Sequence, residues 1–186
     1  MHKHYKIYKP YGYLSQFVNN QNRRKNKKLL SDLVDLETDT MAIGRLDEKS
    51  EGLLLLTTDG KFSEYIRSSK IEKEYHVMVD GVVTNSHIQR LKKGIDISIN
   101  GKMYTTKPCK ASILKDTSHI VKRFVRDDKH GKTSWLSIII TEGKFRQVRK
   151  MTAKIGLPTL RLVRVRVGNY RIEDLKPGEL VEINSL

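Results

Sequence analysis

From Ala42 to Gly60 the chain reads AIGRLDEKSEGLLLLTTDG, a polar stretch running into four consecutive leucines. A short apolar run bounded by turn residues predicts a fully buried strand at Leu53–Leu56. Gly44 and Gly52 flank the polar stretch and permit backbone angles that other residues resist. Beyond the run, Asp59 is placed to cap a helix through Lys61–Ser68, with Phe62, Tyr65 and Ile66 at helical spacing. Upstream, His4–Lys9 reads as a strand closed by Pro10 and Gly12 in a turn. Residues 19–28, NNQNRRKNKK, form a polar, basic, exposed loop, and Leu29–Leu36 offers a short helix.

The second half continues the alternation. Glu74–Val79 predicts a strand, and Asn85–Lys93 a helix stopped by Gly94. Strands follow at Asp96–Ile99 and Cys109–Leu114. Residues 115–133, KDTSHIVKRFVRDDKHGKT, are irregular and basic and read as a surface loop. A strand at Trp135–Thr141 leads into a helix at Phe145–Ile155, then strands at Leu162–Val167 and Leu180–Ile183. There is no internal repeat. Strands and helices mixed without a regular βα period predict an α+β fold with a mainly antiparallel sheet.

Length and charge narrow the class. The 186 residues fit one sizeable domain, or two small lobes sharing a core. A formal charge of +15 favours a polyanionic partner, because neutralising phosphates releases counterions. No apolar run approaches the ~20 residues of a membrane span, and the N-terminus has no signal-peptide core. A single cysteine, Cys109, rules out an intrachain disulfide framework and fits a reducing cytoplasm.

Three places offer chemistry. Asp47 sits just before the buried strand, on a frame that can aim a carboxylate; read as ordinary surface, Asp47, Glu48 and Glu51 are solvated loop acids. In TEGKFRQVRKM, Arg146, Arg149 and Lys150 share a helix face at i, i+3 and i+4, with Val148, Met151 and Ile155 on the buried side. That face can bind phosphate or accompany a carboxylate, and equally can be a solvated basic surface. Tyr75 lies in a strand among charged neighbours, where its ring could stack on a base or simply sit at the rim of the core. One Cys and six dispersed His give no zinc spacing, and no phosphate loop or dinucleotide fingerprint is present.

Taken together, YKPYGYLSQF (Tyr8–Phe17), GRLDEKSEGLLLLTTDG (Gly44–Gly60) and EGKFRQVRKMTAKIGLPTLRLVRVRVG (Glu142–Gly168) resemble the ribosomal RNA pseudouridine synthases. The branch is the one typified by the small-subunit enzyme RsuA, and the large-subunit synthase E group within it is the most similar. The resemblance implies a pseudouridine synthase fold: a mixed, mainly antiparallel sheet with flanking helices and a central cleft, in one catalytic domain of two lobes. It implies that the chain begins at the KPYG strand without the small RNA-binding module that many branch members carry. It also implies action without a cofactor on a uridine of large-subunit rRNA; a monomer without metal is expected.

The resemblance assigns roles as well. Asp47 matches the catalytic carboxylate, Tyr75 the active-site tyrosine that packs against the target base, and Arg149 the basic partner of the carboxylate. Arg45 matches the arginine that helps reorganise RNA as the nucleotide flips, and Lys9 the first motif, which shapes the cleft wall. Lys144, Arg146 and Lys150 complete an expected RNA-binding set. The chemistry suits these types. Isomerisation breaks the bond from C1′ to N1 and forms one from C1′ to C5, which a carboxylate at the sugar can assist. A guanidinium beside a carboxylate favours its charged form in a dry pocket. Two other classes fit the composition less well: a non-catalytic RNA-binding assembly protein on the same fold, and a hydrolase of glycosidic bonds.

Overall fold

A computed structural model describes residues 1–19 and 26–184, so the middle of the expected basic loop lies outside the described residues. In chain order the elements are β1 (His4–Lys9), β2 (Met41–Ala42), β3 (Glu51–Thr57), α1 (Gly60–Arg67), β4 (Lys73–Asp80), α2 (Asn85–Lys93), β5 (Asp96–Ile99) and β6 (Lys102–Thr105). They continue with β7 (Lys110–Ile113), β8 (Thr133–Ile140), α3 (Gln147–Lys154), β9 (Thr159–Val167), β10 (Tyr170–Arg171) and β11 (Leu180–Ile183). The chain divides into two compact units. Unit 1 comprises Met1–Ile71 with Val163–Leu186, and unit 2 is Glu72–Leu162.

Unit 1 is built on β3. The strand pairs antiparallel with β1 and β2, and parallel with β9 through Glu51 and Gly52 opposite Val163 and Arg164. β11 extends the other edge of β1. Neighbours on both sides and cover on both faces explain the unbroken leucine run, since all four leucines are at most 1% exposed. At roughly 1.5–3 kcal/mol per buried leucine, this strand anchors the unit. α1 begins where expected, with the Asp59 carboxylate accepting from the Lys61 N–H at 2.9 Å. Phe62 and Ile66 are buried, whereas Tyr65 is 49% exposed, so the apolar stripe is narrower than its spacing suggested.

The expected helix at Leu29–Leu36 shrinks to a single 3-10 turn at Leu30–Asp32. The Leu30 N–H donates to Gln16 O, and Leu30 itself is fully buried. The Asp32 carboxylate then accepts from the Leu29 N–H at 2.7 Å, closing the turn.

Unit 2 carries the antiparallel ladder β4–β8–β7, with Met78 opposite Trp135 and Tyr75 opposite Ile138. α2 and α3 contribute Ile88, Leu91, Val148 and Met151 to the core beneath Val77, Val79, Leu136 and Ile138. Beside this ladder lies the β5–β6 hairpin, whose second strand the sequence reading lacked. Its turn is Asn100–Gly101, both at positive φ, as a tight hairpin connection requires.

Candidate active site

In unit 1 the segment carrying Asp47 is fastened at both ends. The Ile43 N–H donates to Leu55 O at 2.8 Å, and the Leu46 N–H and O bond reciprocally to the Ser15 hydroxyl at 2.9 and 2.7 Å. Ile43 and Leu46 are buried, and half-buried Asp47 follows at the head of a turn closed by the Ser50 N–H on Asp47 O. The Gly12 N–H donates to Glu48 O at 2.8 Å, joining the Pro10–Gly12 turn to the same segment. These fixtures hold the backbone on either side of Asp47. Arg45, two residues before it, is exposed.

Gly52 explains how the segment meets β3. Its φ is +103°, and a Cβ there would lie 2.3 Å from Arg164 O. Only glycine permits this approach of β3 to β9. Glu51, expected as a loop acid, is instead the first residue of β3 and is buried. Among the groups that favour the charged form of Lys9, Glu51 comes first.

Lys9 is fully buried, so in this position it offers no surface to RNA. Its Nζ donates to Pro10 O at 3.0 Å and Tyr13 O at 2.6 Å. Burial pushes the ammonium down to about 8, against the pull of Glu51, Asp47 and Glu48, with Arg164 adding to the lowering. Lys9 thus works from beneath, as a bolt between the first turn and the acidic segment.

Unit 2 holds the other expected residues. Tyr75 is half-buried in β4 and packs against the core. α3 starts at Gln147, two residues later than the spacing suggested, because Arg146 adopts the left-handed conformation at φ 51°. Arg146 therefore precedes the helix and is exposed, and the basic face is reduced to Arg149 and Lys150. Lys150 Nζ donates to Ser98 O at 2.7 Å and lies 5.5 Å from the Phe145 ring centroid. Exposed Lys144 lies 4.9 Å above the Tyr104 ring.

Two residues that the sequence reading passed over fix this turn. Buried Glu142 accepts from Tyr104 OH, from the Lys107 N–H at 3.0 Å and from Gln147 Nε2 at 2.8 Å. Gln147 in turn accepts from the Lys144 N–H at 3.2 Å. The start of α3, which sets where Arg149 emerges, is held by this carboxylate. Their place inside EGKFRQVRKM, among the cations, was the available signal.

Other groups suit chemistry less. Burial raises the Cys109 thiol to about 11, which leaves it a poor nucleophile. Among the described residues no group of three or more His, Cys, Asp or Glu is arranged to hold a metal ion, and no helix is long and apolar enough to cross a membrane.

Comparison with known proteins places this frame. Residues 3–154 match the RNA pseudouridylate synthase family. The chain is 42% identical over 179 residues to the ribosomal large subunit pseudouridine synthase E of Vibrio parahaemolyticus, covering 94% of this chain and 71% of that protein. It is 41% identical over 173 residues to the same-named protein of Xanthomonas axonopodis pv. citri, covering 91% and 87%. The crystal structure of a pseudouridylate synthase superposes with a TM-score of 0.79 at 25% identity, covering 99% of this chain and 71% of that one. A family match over most of the length, relatives above 40% identity and a shared α+β architecture agree: the chain belongs to the RNA pseudouridylate synthase family, whose members are isomerases of RNA uridines.

Proposed function

We propose that this enzyme converts a uridine of large-subunit ribosomal RNA to pseudouridine, working as a monomer in the cytoplasm. The observation that carries the substrate is the identity above 40%, over more than nine-tenths of this chain, to relatives named for the large ribosomal subunit. The charge of +15 supports a polyanionic substrate.

In this reading Asp47 serves the sugar. Its carboxylate faces C1′ as the bond to N1 breaks; uracil turns, C5 joins C1′, the C5 proton is lost and N1 gains one. The fixtures at Ile43, Leu46 and Ser50 support Asp47 in that role, because a carboxylate must be aimed before charge develops. Tyr75 confines the base while it turns, and Arg149 accompanies the carboxylate. Arg45 assists extrusion of the nucleotide, a cost of a few kcal/mol that Lys144, Arg146 and Lys150 offset through flanking phosphates.

The test is tritium release from large-subunit rRNA labelled at uridine C5. Asp47→Ala should abolish release while RNA binding persists, and release at the wild-type rate would remove Asp47 from the reaction. Pseudouridine maps of large-subunit rRNA from cells with and without the protein should differ at one position; identical maps would remove that RNA as substrate.

A further inference from the structure

The irregular segment 115–133 has no part in the reaction described above. β4 sends Tyr75, Val77 and Val79 toward the core, so Glu74, His76, Met78 and Asp80 project from the opposite face. The irregular segment crosses that face as a strap fastened at two points. His119 Nε2 is 2.8 Å from His76 Nδ1, and Arg126 makes a two-pronged pair with Asp80 at 3.1 and 2.6 Å. Ile120 is buried between the fastenings.

Between them the strap raises Lys122, Arg123 and Phe124 over a cavity of about 510 Å³. The cavity is floored by Met78, Trp135 and Arg161, and the Arg161 guanidinium lies 5.9 Å from the Trp135 ring centroid. Phe124 is 80% exposed. A lone exposed aromatic needs no explanation. One at the mouth of a nucleotide-sized cavity, next to two cations in a chain of charge +15, has the composition of a single-strand RNA platform.

We propose that this cavity is a second RNA-binding site, which takes one unpaired nucleotide with its base against Phe124 and the Trp135 floor and its phosphates at Lys122 and Arg123. A paired base has both faces covered by its neighbours, so only an unstacked one presents a face to the ring. The site lies on the side of the ladder opposite Tyr75, and so is separate from that residue. It rests on RNA as the substrate class of the family, and its contribution is to hold the RNA rather than to drive the chemistry.

Trp135 is the only tryptophan, which makes the cavity its own reporter. A single-stranded RNA of about six nucleotides, in the size range of such platforms, should quench Trp135 emission saturably, and a blunt duplex of equal length should not. Phe124→Ala, at an exposed position that leaves folding intact, should weaken the single strand at least about fivefold. On rRNA the same variant should raise KM and leave kcat unchanged. Unchanged emission, equal quenching in Phe124→Ala, or equal quenching by the duplex would overturn the proposal. Quenching by a glutamate-rich peptide in place of RNA would also overturn it and assign the cavity to a protein partner.

Discussion

The carboxylate of Glu142 holds the amide of Gln147 at 2.8 Å, both side chains almost fully buried, at the point where the chain turns into α3. Because Tyr104 OH and the Lys107 N–H converge on the same carboxylate, it joins the β5–β6 hairpin to the helix carrying Arg149. Glu142→Gln introduces a donor where three donors already point. It should cost about 1–3 kcal/mol, read as a lowered urea midpoint. Tyr104→Phe should cost less by itself, and the double variant should lose less than the sum of the two.

Gly44 and Gly52 both have positive φ, yet they should respond differently to alanine. A Cβ at Gly44 meets nothing within 4 Å, so Gly44→Ala carries backbone strain alone, about 1 kcal/mol. At Gly52 the same methyl strikes the Arg164 backbone, and strain adds to overpacking for about 3 kcal/mol or more. Denaturant unfolding of the two variants side by side tests the ranking; equal losses would discard the close approach as its cause.

Lys9 makes a prediction on the alkaline side. Its folded value of about 8 lies below the ordinary 10.5, so between them the unfolded chain binds more protons than the folded one. The burial penalty is complete below about 8 and is relieved as pH rises toward 10.5. Stability of the wild type relative to Lys9→Met should therefore climb across that window. A flat difference would mean that Lys9 keeps its ordinary value when folded.

His76 acts on the acid side. It is buried between Glu74 at 3.1 Å and His119 at 2.8 Å, with Ser137 also on Glu74 Oε1. Burial holds its imidazole below the ordinary 6.5 despite Glu74, with His119 pulling the same way as burial. The unfolded chain thus takes up the proton first, and stability should fall as pH drops below about 6.5. Thermal unfolding of His76→Gln should show a shallower acid slope than the wild type, and an equally steep slope would reassign the effect.

Much of this molecule is local in origin, and that part was readable. The leucine run, the Asp59 cap and the Gly94 stop each follow from a few adjacent residues, and they place β3, α1 and α2. Asn100–Gly101 was equally local but went unread, a hairpin turn whose meaning lay in two letters. What stayed hidden depends on distant partners. Leu29–Leu36 had helical character, yet the burial of Leu30 and its bond to Gln16 O come from partners outside the segment. Lys9 was expected to face RNA from the cleft wall because nothing in its own type reveals that burial and the Tyr13 carbonyl claim its ammonium. Arg146 left its helix face through one left-handed residue, which no periodicity records. The strap reads as featureless because His76 and Asp80 lie more than forty positions from His119 and Arg126.

The division of the chain has a consequence for its synthesis. Unit 2 is one continuous stretch, whereas unit 1 needs both the beginning of the chain and the segment from Val163 onward. Val163 and Arg164 are the residues that line up beside Glu51 and Gly52, and Arg164 Nε donates to Leu53 O at 2.8 Å. On the ribosome, therefore, the strand behind Asp47 emerges before unit 2, and its Glu51–Gly52 end waits for Val163 and Arg164 until unit 2 has been made. The residue proposed to carry the chemistry is translated before unit 2 and set in place only after it.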